Sequence, residues 1–268
     1  MNYSLLNGTF TENYFTNRAF EYGDGIFETI IVRKNKIFFW QRHYQRLCEA
    51  MQALHLEKPA FFSADFLENK IWELARKNNF QDTFRIKINV WRESTGWYAP
   101  EQNQISWLLR LFPHTEKPLI KQKAIFFNKV PLVASQISPY KTCNALPYVL
   151  AGIEKNNCNA DEVILLDCYQ HIADALVSNI FWIRDNCLYT PMLACGGKKG
   201  VMREQVLEFC KQENIHVQEG CFGKEDILKA ETIFTTNVAG IEVIARLENK
   251  TFSTAHLLIE NLRNLLEP

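Results

Sequence analysis

The chain carries no surplus of charge: 30 lysines and arginines stand against 30 aspartates and glutamates in 268 residues. That balance argues against a partner such as nucleic acid or an anionic membrane, since both select basic surfaces. No apolar run approaches the length of a membrane span, and Met1–Leu5 lacks the charged and then apolar pattern of a leader. The eight cysteines and six histidines are dispersed, without CxxC or HExxH spacing. The expectation is a cytoplasmic protein with reduced thiols and no metal site. Neither GxxxxGK[ST] nor GxGxxG occurs, so the common nucleotide and dinucleotide loops are missing as well. Internal repeats and low-complexity stretches are also lacking.

What is present is an alternation of strands and helices along the whole chain. Ile26–Val32, a polar turn at Arg33–Lys36 and Ile37–Trp40 read as a hairpin. A helix follows, with Tyr44, Leu47, Met51 and Leu54 on one stripe. Ser63 suits the N-cap of a second helix to about Asn78, whose core face would carry Phe66, Ile71 and Leu74. Phe84, Ile86, Ile88 and Val90 alternate with Arg85, Lys87, Asn89 and Trp91, the mark of a strand with one polar face. A further strand runs from Ile105 to Phe112. The polar, proline-bounded segment after it suggests a linker at 114–120 between an N-terminal domain, 1–113, and a C-terminal domain, 121–268. The second part predicts a strand at Ala124–Phe127, a helix from about Leu146 to Asn156 and a buried strand at Val163–Leu166. A hairpin turn at Asp185–Asn186, a helix at Val201–Gln212 and an amphipathic tail from His256 to Leu265 follow. The fold class is therefore α/β (α+β) in two domains.

Five places carry candidate chemistry. Ser138-Pro139-Tyr140-Lys141-Thr142-Cys143-Asn144 sets one lysine between a short turn and a helix. A lysine becomes a carbonyl-capturing nucleophile when burial or a nearby cation lowers its pKa. Cys195-Gly196-Gly197-Lys198-Lys199-Gly200 leads straight into a helix, where free amides attract phosphate, although a plain surface turn reads the same way. Arg46 lies just off its helix's apolar stripe, and Asp174 sits in an apolar strand-like stretch where a carboxylate needs a partner. Asn237 ends the β-rich run Ile233–Thr236.

Six segments, in order, resemble the class IV aminotransferase family, the fold type IV pyridoxal-phosphate enzymes. They are Asn17–Thr29, His43–Leu47, Lys141–Leu146, Ala160–Asp167, Ser178–Phe181 and Gly200–Arg203, and they cover nearly the whole chain. The resemblance implies a homodimer with its active site between the two domains. It implies that Lys141 is the Schiff-base lysine, and that Arg46, the amides of Val201 and Met202, and Asn237 cradle the cofactor phosphate. Asp174 stands where the family has a glutamate on the pyridine nitrogen, one methylene shorter.

Thr29 stands where branched-chain aminotransferases usually carry glycine, and Ala145 where they carry tyrosine. Both favour the aminodeoxychorismate lyase branch, with branched-chain or D-amino-acid transamination as the alternative and an inactive cofactor-binding scaffold as a reading of another class. In the lyase reading Thr29 touches substrate or its leaving oxygen. Lys87 and Arg92 are the candidate cations for a small substrate with two carboxylates.

Overall fold

The protein is described by a computed structural model covering residues 4–6, 9–11, 17–116 and 118–264. The architecture is mixed α/β. An antiparallel sheet of four strands is ordered Lys36–Ile37, Gly25–Arg33, Phe84–Arg92, Ile105–Pro113. Its first turn places Lys34 and Asn35 at φ 45° and 59°, the paired left-handed geometry that matches the twist of a two-residue hairpin.

One face of this sheet is apolar because Ile26, Ile30 and Val32 stand opposite Val90, Ile86 and Phe84, with Ile88 on the same face. Helices Trp40–Ala53 and Ala64–Lys77 bury Leu47, Met51, Leu67 and Ile71 against it. Ser63 caps the second helix, its Oγ accepting from the Phe66 amide at 3.1 Å. Two expectations are corrected here. The buried stripe of that helix is Leu67, Ile71 and Ala75, while Phe66 lies on its flank against Phe61 and Trp107. The return strand after the first turn is only Lys36–Ile37. Phe38 leaves the sheet to join a cluster around Phe181 and Phe234, and Trp40 opens the helix.

The rest of the chain forms two further sheets. A six-stranded one is ordered Val217–Gly220, Cys187–Pro191, Asn179–Arg184, Thr232–Asn237, Gly240–Ile244, Ile120–Lys121. A five-stranded one is ordered Ile172–Ala175, Glu162–Asp167, Ala124–Leu132, Arg246–Leu247, Lys250–Thr251. Ile164, Leu166, Ile180, Trp182 and Ile233 join the two sheets in one buried cluster. Helix Leu146–Asn157 packs against Val163 and Leu165 on the five-stranded sheet, through Tyr148 and Ala151. Helices Val201–Gln212 and Leu257–Asn264 pack on the six-stranded one through Met202, Val206, Ile259 and Leu262. The segment expected as a linker thus ends in a strand, because Ile120 pairs with Val243. Leu265, expected in the tail helix, lies outside the described residues. No helix among the described residues is long and apolar enough to cross a membrane.

Candidate active site

The return strand Lys36–Ile37 covers only the far end of Gly25–Arg33, which leaves the backbone of residues 25–27 open. The lysine turn docks there. Phe27 N donates to Lys141 O and Cys143 N to Gly25 O, each at 2.8 Å, and Thr142 bridges Ile26. Strand alternation then sorts the side chains. Ile26, Glu28 and Ile30 turn to the helices, while Phe27, Thr29 and Ile31 line a cavity of about 380 Å³. Asp174, Met202 and Asn237 line it from the other sheets and helix, together with Lys141, Arg46 and Ala145.

Lys141 Nζ stands 4.9 Å from the centre of the Phe27 ring. Burial, and then the Arg46 guanidinium, lower its pKa to about 8, against the opposing pull of Glu28 and Asp174. At neutral pH a useful fraction is therefore free amine.

Arg46 is held from two sides. Its Nε and Nη2 each donate to Glu28 at 2.7 Å, and Nη1 donates to Lys199 O at 2.8 Å. Three of its five N–H bonds are spent in this way, and the remainder are free to bind an anion. Glu28 also meets His43 Nδ1 at 2.8 Å. Burial alone would raise the Glu28 pKa, but the Arg46 charge and the His43 and Arg46 hydrogen bonds win and hold it at about 2. Burial lowers the pKa of His43, which keeps its imidazole neutral.

The glycine run works by close approach of backbone. A Cβ on Gly200 would fall 1.8 Å from Asn179 Oδ1, and one on Gly197 2.3 Å from Ala173 O. This packing brings Lys198 N within 3.1 Å of Asp174 Oδ2. Tyr148 Oη donates to the same oxygen at 3.0 Å, while Asn179 Nδ2 and Ala175 N donate to Oδ1 at 3.1 Å. Even with four donors, burial raises the Asp174 carboxyl to about 6.

The far end of the cavity fits a phosphate. Helix Val201–Gln212 begins there at Gly200, which offers no side-chain cap, so its first amides point out unpaired. Thr236 Oγ1 is buried on the cavity wall without a hydrogen-bond partner among the described residues. Asn237 beside it is oriented through Ser178 Oγ at 2.9 Å. Orphaned amides, an orphaned hydroxyl and a part-free guanidinium are the complement of an anion.

Of the expected site residues, Thr29, Arg46, Lys141, Asp174, Val201, Met202 and Asn237 share this cavity. Lys87 is a margin case: it sits across the sheet from Thr29, with Nζ 4.7 Å from the Phe27 ring. Arg92 is not at the site. It shares the helix-facing parity of Ile88 and Val90, and it is spent on Asp24 at 2.9 Å and on Leu54 O at 2.7 Å. Arg85, opposite Ile31, lines the cavity in its stead. Glu28, Tyr148, Asn179 and Thr236 were not expected. Only Glu28 left a trace in the sequence, as an acid in the apolar register of its strand.

The model of the class IV amino-transferases matches residues 25–244. The chain belongs to that family. It is a pyridoxal-phosphate-dependent enzyme, and the cavity just described fits that cofactor. An aminodeoxychorismate lyase of Vibrio harveyi is 27% identical over 250 residues, covering 87% of this chain and 88% of the relative. A putative branched-chain-amino-acid aminotransferase of Methanocaldococcus jannaschii is 27% identical over 222 residues, covering 81% and 76%. Among solved structures, a putative 4-amino-4-deoxychorismate lyase from Legionella pneumophila superposes with a TM-score of 0.87 at 25% identity, over 96% of this chain and 94% of that one. The branched-chain aminotransferase of Escherichia coli shares the fold, with a TM-score of 0.83 at 20% identity over 96% and 90%.

Proposed function

We propose that the protein is an aminodeoxychorismate lyase, releasing 4-aminobenzoate and pyruvate from 4-amino-4-deoxychorismate. The observation that carries the reading is that Thr29, Ala145 and Arg85 line the same cavity. A methyl group at 145 leaves room for a cyclic substrate, and a guanidinium suits one of its two carboxylates. The similarity to lyases from Vibrio harveyi and Legionella pneumophila supports the same choice. Transamination of amino acids is the alternative, supported by the branched-chain relatives.

Lys141 would hold pyridoxal phosphate through Nζ. Arg46, the amides of Val201 and Met202, Thr236 Oγ1 and Asn237 would hold its phosphate, and Asp174 would keep a proton on the ring nitrogen. Bound there, the cofactor supplies an electron sink for the carbon that bears the substrate's nitrogen. The Lys141 amine takes the proton from that carbon, which its lowered pKa allows near neutrality. As the C–O bond to the enolpyruvyl group breaks, Thr29 Oγ1 would give its proton to the leaving oxygen and recover one from solvent. Arg85 and Lys87 orient the carboxylates. Production of 4-aminobenzoate from aminodeoxychorismate with no keto acid added tests the reading.

Arg85→Gln is expected to raise KM for the dicarboxylate substrate by about 10- to 100-fold, the worth of one charge-assisted contact. Its kcat should change far less, because Arg85 stands apart from Lys141 chemistry. An unchanged KM would remove Arg85 from the substrate site.

The active form is proposed to be a homodimer. Leu146, Val149, Leu150 and Ile153 are 65, 54, 42 and 51% exposed, and their spacing lays them along one side of a helix. An apolar stripe of this kind marks an interaction surface. The parent should sediment at twice the chain mass and Leu150→Glu at the chain mass. A parent that sediments as a monomer while fully active would refute the proposal.

A further inference from the structure

His171, Cys195 and Cys221 come from three separate segments, yet they place their ligand atoms within 4.8 Å of one another. The two sulfurs are 3.6 Å apart. That is close to the edge of a tetrahedron around a thiolate-bound metal, about 3.8 Å for bonds of about 2.3 Å. A third sulfur, Met192 Sδ, lies 3.4 Å from Cys221 Sγ. Behind the cluster, His171 Nδ1 meets Asp167 Oδ2 at 2.9 Å, and the other Asp167 oxygen accepts from the amides of Tyr169 and His171 at 2.8 Å. Carboxylate support of this kind fixes an imidazole and leaves Nε2 as the ligand.

The segments are also tied to one another by backbone. Met192 N donates to Gly220 O at 3.0 Å, Cys195 N to Met192 O at 3.0 Å and Ile172 N to Phe222 O at 2.7 Å. Cys195 is buried and Cys221 exposed, so an ion can enter from solvent onto Cys221.

We propose that His171, Cys195 and Cys221 form a binding site for a thiophilic d10 cation, with Met192 favouring monovalent copper over divalent zinc. Thioether sulfur is the donor that makes this distinction. Both thiol protons leave to solvent as the ion binds, so affinity must fall with falling pH. The site adjoins, along the chain, two segments that line the cofactor cavity. His171 precedes the strand that carries Asp174, and Cys195 precedes the glycine run that carries Lys198 and Lys199. Occupancy would therefore clamp the elements that hold Asp174 and Arg46.

The test is anaerobic titration of the reduced holoenzyme with Cu(I) against bicinchoninic acid, and separately with Zn(II) against a zinc chelator. The expected result is one high-affinity Cu(I) per chain, weakened at least about tenfold by Cys221→Ser and by His171→Gln. Met192→Leu should weaken copper and leave zinc unchanged. Copper uptake that is identical in the parent and in Cys221→Ser would place the ion on other thiols and overturn the proposal. A parent that takes up no metal and loses two mass units on exposure to air would overturn it too, leaving a thiol pair that merely oxidises.

Discussion

Lys141→Ala is expected to lower kcat by at least about 10³-fold, since it removes both the covalent anchor of the cofactor and the base. Borohydride reduction of the parent holoenzyme should attach the cofactor to the peptide containing Lys141, and the variant should yield no such adduct. When the two are compared free of cofactor, the variant should fold as well as the parent or better. A lysine whose pKa falls to about 8 on burial has a folded pKa below its unfolded value. Its charged form is therefore penalised in the folded state, and removing it relieves that penalty at neutral pH. Loss of turnover with an unchanged or raised Tm is thus the signature of a chemical role. Full turnover in Lys141→Ala would dismiss the assignment.

Arg46→Ala should cause the largest loss of stability, about 3–5 kcal/mol, because it leaves the buried Glu28 carboxylate without its bidentate partner. Cofactor retention should fall in the same variant, since the phosphate end of the cavity loses its guanidinium. Arg46→Lys should not rescue it, because an ammonium cannot grip Glu28 with two parallel bonds and reach Lys199 O as well.

The pH profile of stability separates the parts. Glu28 titrates at about 2 in the folded state against an ordinary 4.5. Its contribution is therefore complete above about 4.5 and lost as the pH falls toward 2. His43 is also lowered, from 6.5, so the unfolded chain takes up that proton first and stability begins to decline below 6.5. The parent Tm should fall gently below pH 6.5 and steeply below 4.5. In Arg46→Ala the steep part should flatten. A variant with the parent's acid profile would show that the pair does not carry the stability assigned to it.

The local features of the site were legible in the sequence because their chemistry is local. Lys141 sits on a turn before a helix, Gly200 opens a helix without a cap, and Arg46 lies one position off its stripe. Period-two reading of Phe84–Val90 already put Arg85 and Lys87 on the polar face. The same parity counted Arg92 out, and only its place at the end of the strand suggested otherwise. Glu28, Thr236 and Asn179 were hidden for another reason. Glu28 and Asn179 act by bonding groups on other segments, Arg46 and Lys198 O, and Thr236 is set apart only by a buried hydroxyl that no described residue satisfies, so only the folded chain reveals them. The thiol cluster shows this most plainly. The absence of CxxC spacing argued against a metal site, yet His171, Met192, Cys195 and Cys221 meet because three strand ends converge.

The measurement that bears most directly on the account is product stoichiometry over many turnovers, with aminodeoxychorismate as the sole substrate. Elimination restores the cofactor in every cycle. The account therefore predicts 4-aminobenzoate and pyruvate in equal amounts, far beyond one equivalent per site, with no keto acid present. An enzyme that stops after one equivalent and resumes only when a keto acid is added would be a transaminase, and the lyase reading would be wrong.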